Sequence, residues 1–197
     1  MADGRWIDNY QFSHFNESKI VVFPGGGDIN PAYYGHKEMS GAHHNSYVDE
    51  REFSLLQKAI DSKKFIVGVC RGAQWLTVAA GGWLIQDVSG HQISHEIETY
   101  DGQIFRTNSS HHQMCYPFDL KEGVDYKLLA WSMELSNRYI IENNEDMRKT
   151  LYGGSFKEPE IIWYPKIRGL AIQGHPEWPS FPKDLNQWVN KLILSLL

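Results

Sequence analysis

The chain is poor in cysteine, with only Cys70 and Cys115 among 197 residues. Two cysteines in unlike contexts cannot build the disulfide framework of a small secreted domain, so one of them is open to a chemical role. Basic charge is also short: 19 Lys and Arg stand against 24 Asp and Glu, giving a formal net charge of −5, and the acidic residues do not gather into a tail. This argues against a broad basic surface for nucleic acid. No run reaches the roughly 18 uninterrupted apolar residues of a membrane span, and the opening "MADGRWIDNYQ" lacks the apolar core of a secretory signal. The expectation is a cytoplasmic protein with neither membrane nor nucleic-acid partners. Repeats and low-complexity linkers are missing too, so a chain near the usual length of one domain is read as a single domain over residues 1–197.

Aromatic residues, by contrast, make up 13% of the chain and include seven Trp. They point first to a well-packed core, with Tyr33, Tyr34, Trp75 and Trp178 as candidates for a pocket wall. The segment "KIVVFPGGG" sets a β-branched run, Ile20 to Phe23, before three glycines, which predicts a buried strand ending in a loop with exposed backbone. "SYVDEREFSLLQKAIDSKK" places Val48, Phe53, Leu56, Ala59 and Ile60 near one helical face, with Asp49 and Glu50 early, where the helix dipole favours negative charge. "FIVGV" is the strand that follows. Beyond Cys70, the residues Ala73, Leu76, Thr77, Ala79 and Ala80 suit a helix packed closely on a sheet. Strand, helix, strand, helix predicts an α/β fold with a mainly parallel sheet covered on both faces. "IFRTNS", "YKLLAWS" and "RYIIEN" predict small antiparallel additions, "GLAIQGHPEW" a late strand entering a polar turn, and "FPKDLNQWVNKLILSLL" a closing helix.

A nucleophile at a sharp turn from a parallel strand into a helix stands at the carboxyl edge of the sheet, where α/β proteins hold ligands. "GVCRG" has the spacing of that elbow, glycine, any residue, nucleophile, any residue, glycine, with Gly68 and Gly72 relieving the crowding. The helix N-terminus points N–H groups at the sulfur and favours a thiolate. An isolated cysteine is more often a small buried hydrophobe; the strand, the paired glycines and the helix reverse that reading here. Attack on a carbonyl needs donors for the oxyanion and an acid for the leaving group. The donors expected are the backbone N–H of Arg71 and those of Gly26 and Gly27 in the glycine loop. That loop lacks the G-K-[ST] ending of a phosphate-binding loop. The acid and base expected is His175 in "QGHPEW", oriented by Glu177 two residues on.

Taken together, "GVCRGAQ", "PGGGDINPAYYG", "NSSHHQ" and "QGHPE" resemble the class I glutamine amidotransferase superfamily. Within it they resemble most the γ-glutamyl-γ-aminobutyrate hydrolase type of peptidase family C26. The motifs run in family order from about Phe23 to Trp178. The resemblance implies a flavodoxin-like fold and a reaction in which Cys70 attacks the γ-carbonyl of glutamine or a γ-glutamyl amine. His175 would protonate the departing group, Glu177 would orient His175, and water would then hydrolyse a γ-glutamyl thioester. It further implies that the glutamyl part is held near Gln74 and by Ser109, Ser110 and His111.

Two departures from the family pattern stand out. Only 24 residues precede Gly25, so an opening strand and helix are shortened, or replaced by "GRWIDNY". No synthetase domain is present either, so ammonia passes to a separate synthetase subunit, or the enzyme hydrolyses a γ-glutamyl bond alone. A binding or scaffold protein on the same fold is the non-enzymatic alternative. No cofactor is expected. Adjacent His111 and His112 rarely share one metal geometry, and with no Cys or carboxylate at recognised spacing no metal is expected either. His43, His44, His91 and His95 are expected on the surface or in loops.

Overall fold

A computed structural model describes residues 15–39, 43–142 and 156–197. The candidate replacement segment "GRWIDNY" lies outside these residues. Strand β1 (Ile20–Phe23) leads through the glycine loop and a short 3-10 turn at Pro31–Tyr34 to helix α1 (Ser46–Asp61). Asn45 caps α1, its side chain accepting from the N–H groups of Tyr47 and Val48 at 3.1 and 3.3 Å. Strand β2 (Phe65–Val69) and helix α2 (Arg71–Ala79) follow, meeting at Cys70. Short strands β3 (Trp83–Ile85) and β4 (Asp87–Val88) come next, then β5 (His95–Thr99), β6 (Ile104–Thr107), β7 (Met114–Tyr116), β8 (Lys127–Ser132) and β9 (Tyr139–Ile140). Strands β10 (Pro159–Tyr164) and β11 (Gly169–Ile172) and helix α3 (Lys183–Leu196) close the chain.

The main sheet has seven strands in the order β1-β2-β11-β10-β8-β5-β6, bearing out the α/β class. Parallel pairing joins β1 to β2 and β2 to β11. The other four pairs are antiparallel, so the antiparallel additions extend further than the sequence suggests. The reason is local: β5–β6 and β10–β11 are joined by connections too short for a crossover helix. The parallel strands form the part of the sheet that carries Cys70 and His175.

All five residues of β2 are buried because both of its faces are covered. Phe65, Val67 and Val69 pack with Leu185, Val189, Leu192 and Ile193 of α3. On the opposite face Ile66 packs with Leu56 and Ala59 of α1 and with Ala73 and Leu76 of α2. Each such side chain contributes about 1.5–3 kcal/mol on burial, so this strand is firmly seated beneath the turn that follows it. Strand β10 is the element the sequence hides. Pro159 and Glu160 break the apolar pattern of "PEIIWY", yet all six residues are buried between β8 and β11. A proline is tolerated there because it is the first residue of the strand. No helix among the described residues is long and apolar enough to cross a membrane.

Candidate active site

At the end of β2 the backbone of Cys70 takes φ 49° and ψ −104°, a left-handed conformation costly for a residue with a Cβ. Its N–H donates to the Ile172 carbonyl at 2.8 Å, and its carbonyl accepts from Gln74 at 3.1 Å, opening α2. The two flanking glycines are sterically required. A Cβ on Gly68 would fall 2.3 Å from the Gly72 carbonyl oxygen, and one on Gly72 would fall 2.2 Å from that of Phe23. The crowding expected from the elbow spacing is thus real, and it lets α2 sit directly on β1 and β2.

His175 follows β11, the strand beside β2. Its Nδ1 lies 2.8 Å from Oε1 of Glu177, and its Nε2 lies 3.1 Å from Oγ of Ser110. Asn108 clamps the backbone: its Oδ1 accepts from the His175 N–H at 2.9 Å and its Nδ2 donates to the His175 carbonyl at 3.0 Å. Trp178 stacks on the ring, with centroids 4.1 Å apart and planes within 12°. Burial alone would lower the basicity of the imidazole. Interaction with the Cys70 sulfur and the Glu177 carboxylate overrides it and raises the pKa to about 9.

The glycine loop and Arg71 complete this corner. Gly25 is the loop residue wedged against both Cys70 and His175: a Cβ there would lie 2.7 Å from Cε1 of His175 and 3.5 Å from Cβ of Cys70. Gly26 lies against the Arg71 side chain, and Gly27 against the His43 carbonyl. The Gly72 N–H donates to the Pro24 carbonyl at 3.2 Å, whereas among the described residues no acceptor takes the N–H of Arg71. The buried Arg71 side chain has a task that sequence reasoning missed. Its guanidinium donates to Asp49 at 2.6 Å and to Glu52 at 2.7 Å, fastening α1 to the elbow. The signal was present in the acidic first turns of α1, which the sequence assigns to the helix dipole alone.

The 108–113 segment crosses in front of the sheet. Gln74 donates to the Gln113 carbonyl at 3.0 Å, so it braces this segment. Ser109 donates through Oγ to the His91 carbonyl, and Ser110 is exposed beside His175. His111 turns inward, its Nδ1 2.9 Å from the Gln113 carbonyl, while His112 turns outward, its Nε2 2.9 Å from Asp28. The structure therefore brings Cys70, His175, Glu177, Arg71, Ser110 and Gly25 to one corner and sets Gln74, Ser109 and His111 behind it as supports.

Two expectations are corrected. Trp75 is 0% exposed and packs against Tyr33, Phe53 and the Glu52 carboxylate, because its position on α2 faces α1. It is core, and Tyr33 packs on it; of the four aromatic candidates Trp178, 41% exposed, is the one seated at the reacting residues. His91 and His95, expected on the surface or in loops, are both buried; His91 does lie in a turn, whereas His95 opens β5. They are 3% and 4% exposed, drawn inward by Glu158 and Glu160 at the start of β10. Burial would raise the Glu160 carboxyl, but the adjacent imidazoles of His111, His91 and His95 hold it well below the usual carboxylate range. Cys115, the second cysteine, is buried, donates to Gln173 at 3.1 Å, and has its pKa pushed up to about 12 by burial.

The model of the peptidase C26 family matches residues 14–115, just over half of the chain. The glutamine amidotransferase-like protein YvdE of Lactococcus lactis subsp. lactis is 28% identical over 179 residues, covering 80% of this chain and 65% of that protein. The chain thus spans less than two-thirds of this relative's length. The carbamoyl phosphate synthase small chain of Neisseria meningitidis serogroup B is 23% identical over 180 residues, 90% of this chain and 37% of that one. Among solved structures, PurLQS from Thermotoga maritima shares the fold with a TM-score of 0.58 at 15% identity, over 91% of this chain and 80% of that one.

Proposed function

The chain belongs to the peptidase C26 family of the class I glutamine amidotransferase superfamily, and on that premise we propose that it is a cysteine-dependent enzyme, acting as one domain, that hydrolyses a γ-glutamyl amide. The observation that carries this reading is the placement of His175: one nitrogen is held by Glu177, and the ring lies with Gly25 against Cys70 at the strained elbow. The Cys70 thiolate attacks the γ-carbonyl of glutamine or a γ-glutamyl amine. The oxyanion that forms accepts from the Arg71 N–H and from the glycine loop, where Gly25 and Gly26 stand nearer the reacting residues than Gly27 does.

As the tetrahedral intermediate collapses, the C–N bond breaks and His175 passes its Nε2 proton to the leaving nitrogen, releasing ammonia or an amine. The products of this half are a γ-glutamyl thioester on Cys70 and a neutral imidazole. Water then attacks the thioester, giving a proton to His175 and expelling the Cys70 thiolate with free glutamate. Glu177 accepts from Nδ1 throughout and stabilises the imidazolium, as the acidic member of a triad does. Ser110 borders the glutamyl subsite, and Gln74, Ser109 and His111 brace the segment that carries it.

Labelling with a glutamine-like diazoketone tests the nucleophile. The expected result is a single adduct on Cys70 by mass spectrometry; a folded protein left unmodified overturns the reading. Cys70→Ala should lower γ-glutamyl hydrolysis by at least ~10⁴-fold with unfolding unchanged. The carbamoyl phosphate synthase small chain among its relatives favours a second version, in which a separate synthetase receives the ammonia. A stand-alone hydrolase turns over γ-glutamyl amines unaided, whereas a subunit is slow alone and accelerates when its synthetase is added.

A further inference from the structure

Behind the reacting corner, three imidazoles converge on one carboxylate oxygen. Oε1 of Glu160 lies 3.3 Å from Nδ1 of His91, 2.9 Å from Nε2 of His95 and 3.8 Å from Nε2 of His111. The side chains of all four residues are at least nine-tenths buried. Each ring has its other nitrogen turned to an acceptor. Nε2 of His91 meets Glu158, Nδ1 of His95 lies 3.2 Å from the Ile93 carbonyl, and Nδ1 of His111 lies 2.9 Å from the Gln113 carbonyl. A carbonyl or carboxylate takes only a hydrogen there, so a ring in its neutral form carries its proton on the far side and turns its remaining lone pair to Glu160, and without a metal ion the 2.9 Å contact between Nε2 of His95 and Oε1 of Glu160 needs a second proton on that ring. Nδ1 of His91, Nε2 of His111 and Oε2 of Glu160 are buried without a hydrogen-bond partner. Three ring nitrogens converging on one anion, two of them without a hydrogen-bond partner, is an arrangement that added protons or one metal cation resolves.

We infer that His91, His95, His111 and Glu160 form a site for one divalent transition metal ion, best suited to zinc, that pins the 108–113 segment to β10. Three neutral imidazoles and a carboxylate match the nitrogen and oxygen preference of zinc. With bonds of about 2.0–2.1 Å, tetrahedral ligand atoms stand roughly 3.3 Å apart; the distances from Oε1 of Glu160 to the three ring nitrogens, 2.9–3.8 Å, bracket that spacing, and the donor atoms of His91, His95 and Glu160 all lie within 4.8 Å of one another. The outer partners are those expected around metal-bound histidines: a carboxylate on one ring and backbone carbonyls on the other two. Glu158 is itself fixed by the Ser136 N–H at 2.5 Å and by the Tyr139 hydroxyl.

Charge points the same way. Two buried carboxylates with three neutral rings carry −2, and among the described residues neither Lys nor Arg pairs with them. One divalent ion neutralises the group outright, whereas the metal-free cluster must take up two protons. The consequence for the reacting corner is mechanical. His111 adjoins Ser110, the partner of His175, and Ser109 is tied to the His91 carbonyl, so the metal would fix the chain on both sides of Ser110.

The test uses the full chain carrying Cys70→Ser, which removes the reactive thiol as a competing ligand. After equilibration with zinc and gel filtration, elemental analysis should give one zinc per chain, and cobalt in its place should give the visible bands of a tetrahedral ion. His95→Ala and Glu160→Gln should each weaken zinc binding by at least ~100-fold, and Glu158→Gln by about 10- to 100-fold through loss of the outer contact. Zinc should also raise the melting temperature of the parent and not of the His95 variant. A folded parent that retains no stoichiometric zinc overturns the site, whatever the variants do. Zinc retained undiminished by folded His95 and Glu160 variants overturns it equally.

Discussion

His175 and the trio of His91, His95 and His111 sit on opposite sides of one short segment, and they use the same chemistry to different ends. In both places an acceptor fixes one ring nitrogen and thereby aims the other. At His175 the anchor is a half-buried carboxylate, and the aimed nitrogen meets an exposed serine at the reacting thiol. In the trio the aimed nitrogens meet a buried carboxylate. On the proposed function the His175 imidazole gives and takes a proton in each turnover, whereas three imidazoles around one anion hold segments together. What distinguishes them is thus the partner of the aimed nitrogen, a serine hydroxyl in one place and a buried carboxylate in the other, since all four rings are buried.

The contrast can be broken from either side. The largest effect is expected from Glu177→Gln, which leaves the His175 ring without its anion: kcat/KM should fall about 10²- to 10⁴-fold, while unfolding by urea shifts by less than about 1 kcal/mol because the carboxylate is half-exposed. Glu160→Gln should do the reverse. Breaking a buried charge cluster costs about 3–5 kcal/mol, read as a lower urea midpoint, and activity per folded molecule should change less than in the Glu177 variant.

A smaller effect follows from pH. The His175 pKa is about 9 in the folded chain against an ordinary 6.5, so the stability it contributes is complete below pH 6.5 and is lost as pH rises to about 9. The rate of the step needing its proton should decline over the same upper limb, and Glu177→Gln should move that limb to lower pH in a profile of kcat/KM. Smallest is Ser110→Ala, which removes one neutral contact at Nε2 and should reduce kcat/KM by about tenfold or less.

The meeting of Cys70, His175 and Glu177 at one corner was legible in the sequence because its parts are local. Cys70 lies between glycines at fixed spacing, and His175 and Glu177 lie two residues apart after a strand, so short motifs suffice. The strands β1, β2 and β11 and the helices α1, α2 and α3 were legible for the same reason: each carries its own periodicity. The holding cluster was not. Its ligands come from a turn, a strand, a crossing segment and β10, and they meet only because β10 inserts between β8 and β11 behind a proline that obscures its pattern. A sign was nonetheless present in the four-residue spacing of His91 and His95, though on a turn and a strand rather than a helix. The role of Arg71 was hidden likewise, since its partners Asp49 and Glu52 stand some twenty positions earlier.

That arginine carries one more implication. The residue after Cys70 gives its guanidinium to α1, so the strained peptide at Cys70 is secured by a helix that precedes it in the chain. Before α1 docks, the Arg71 guanidinium has neither the Asp49 nor the Glu52 carboxylate, so on the proposed function the elbow is fully braced only once α1 is in place.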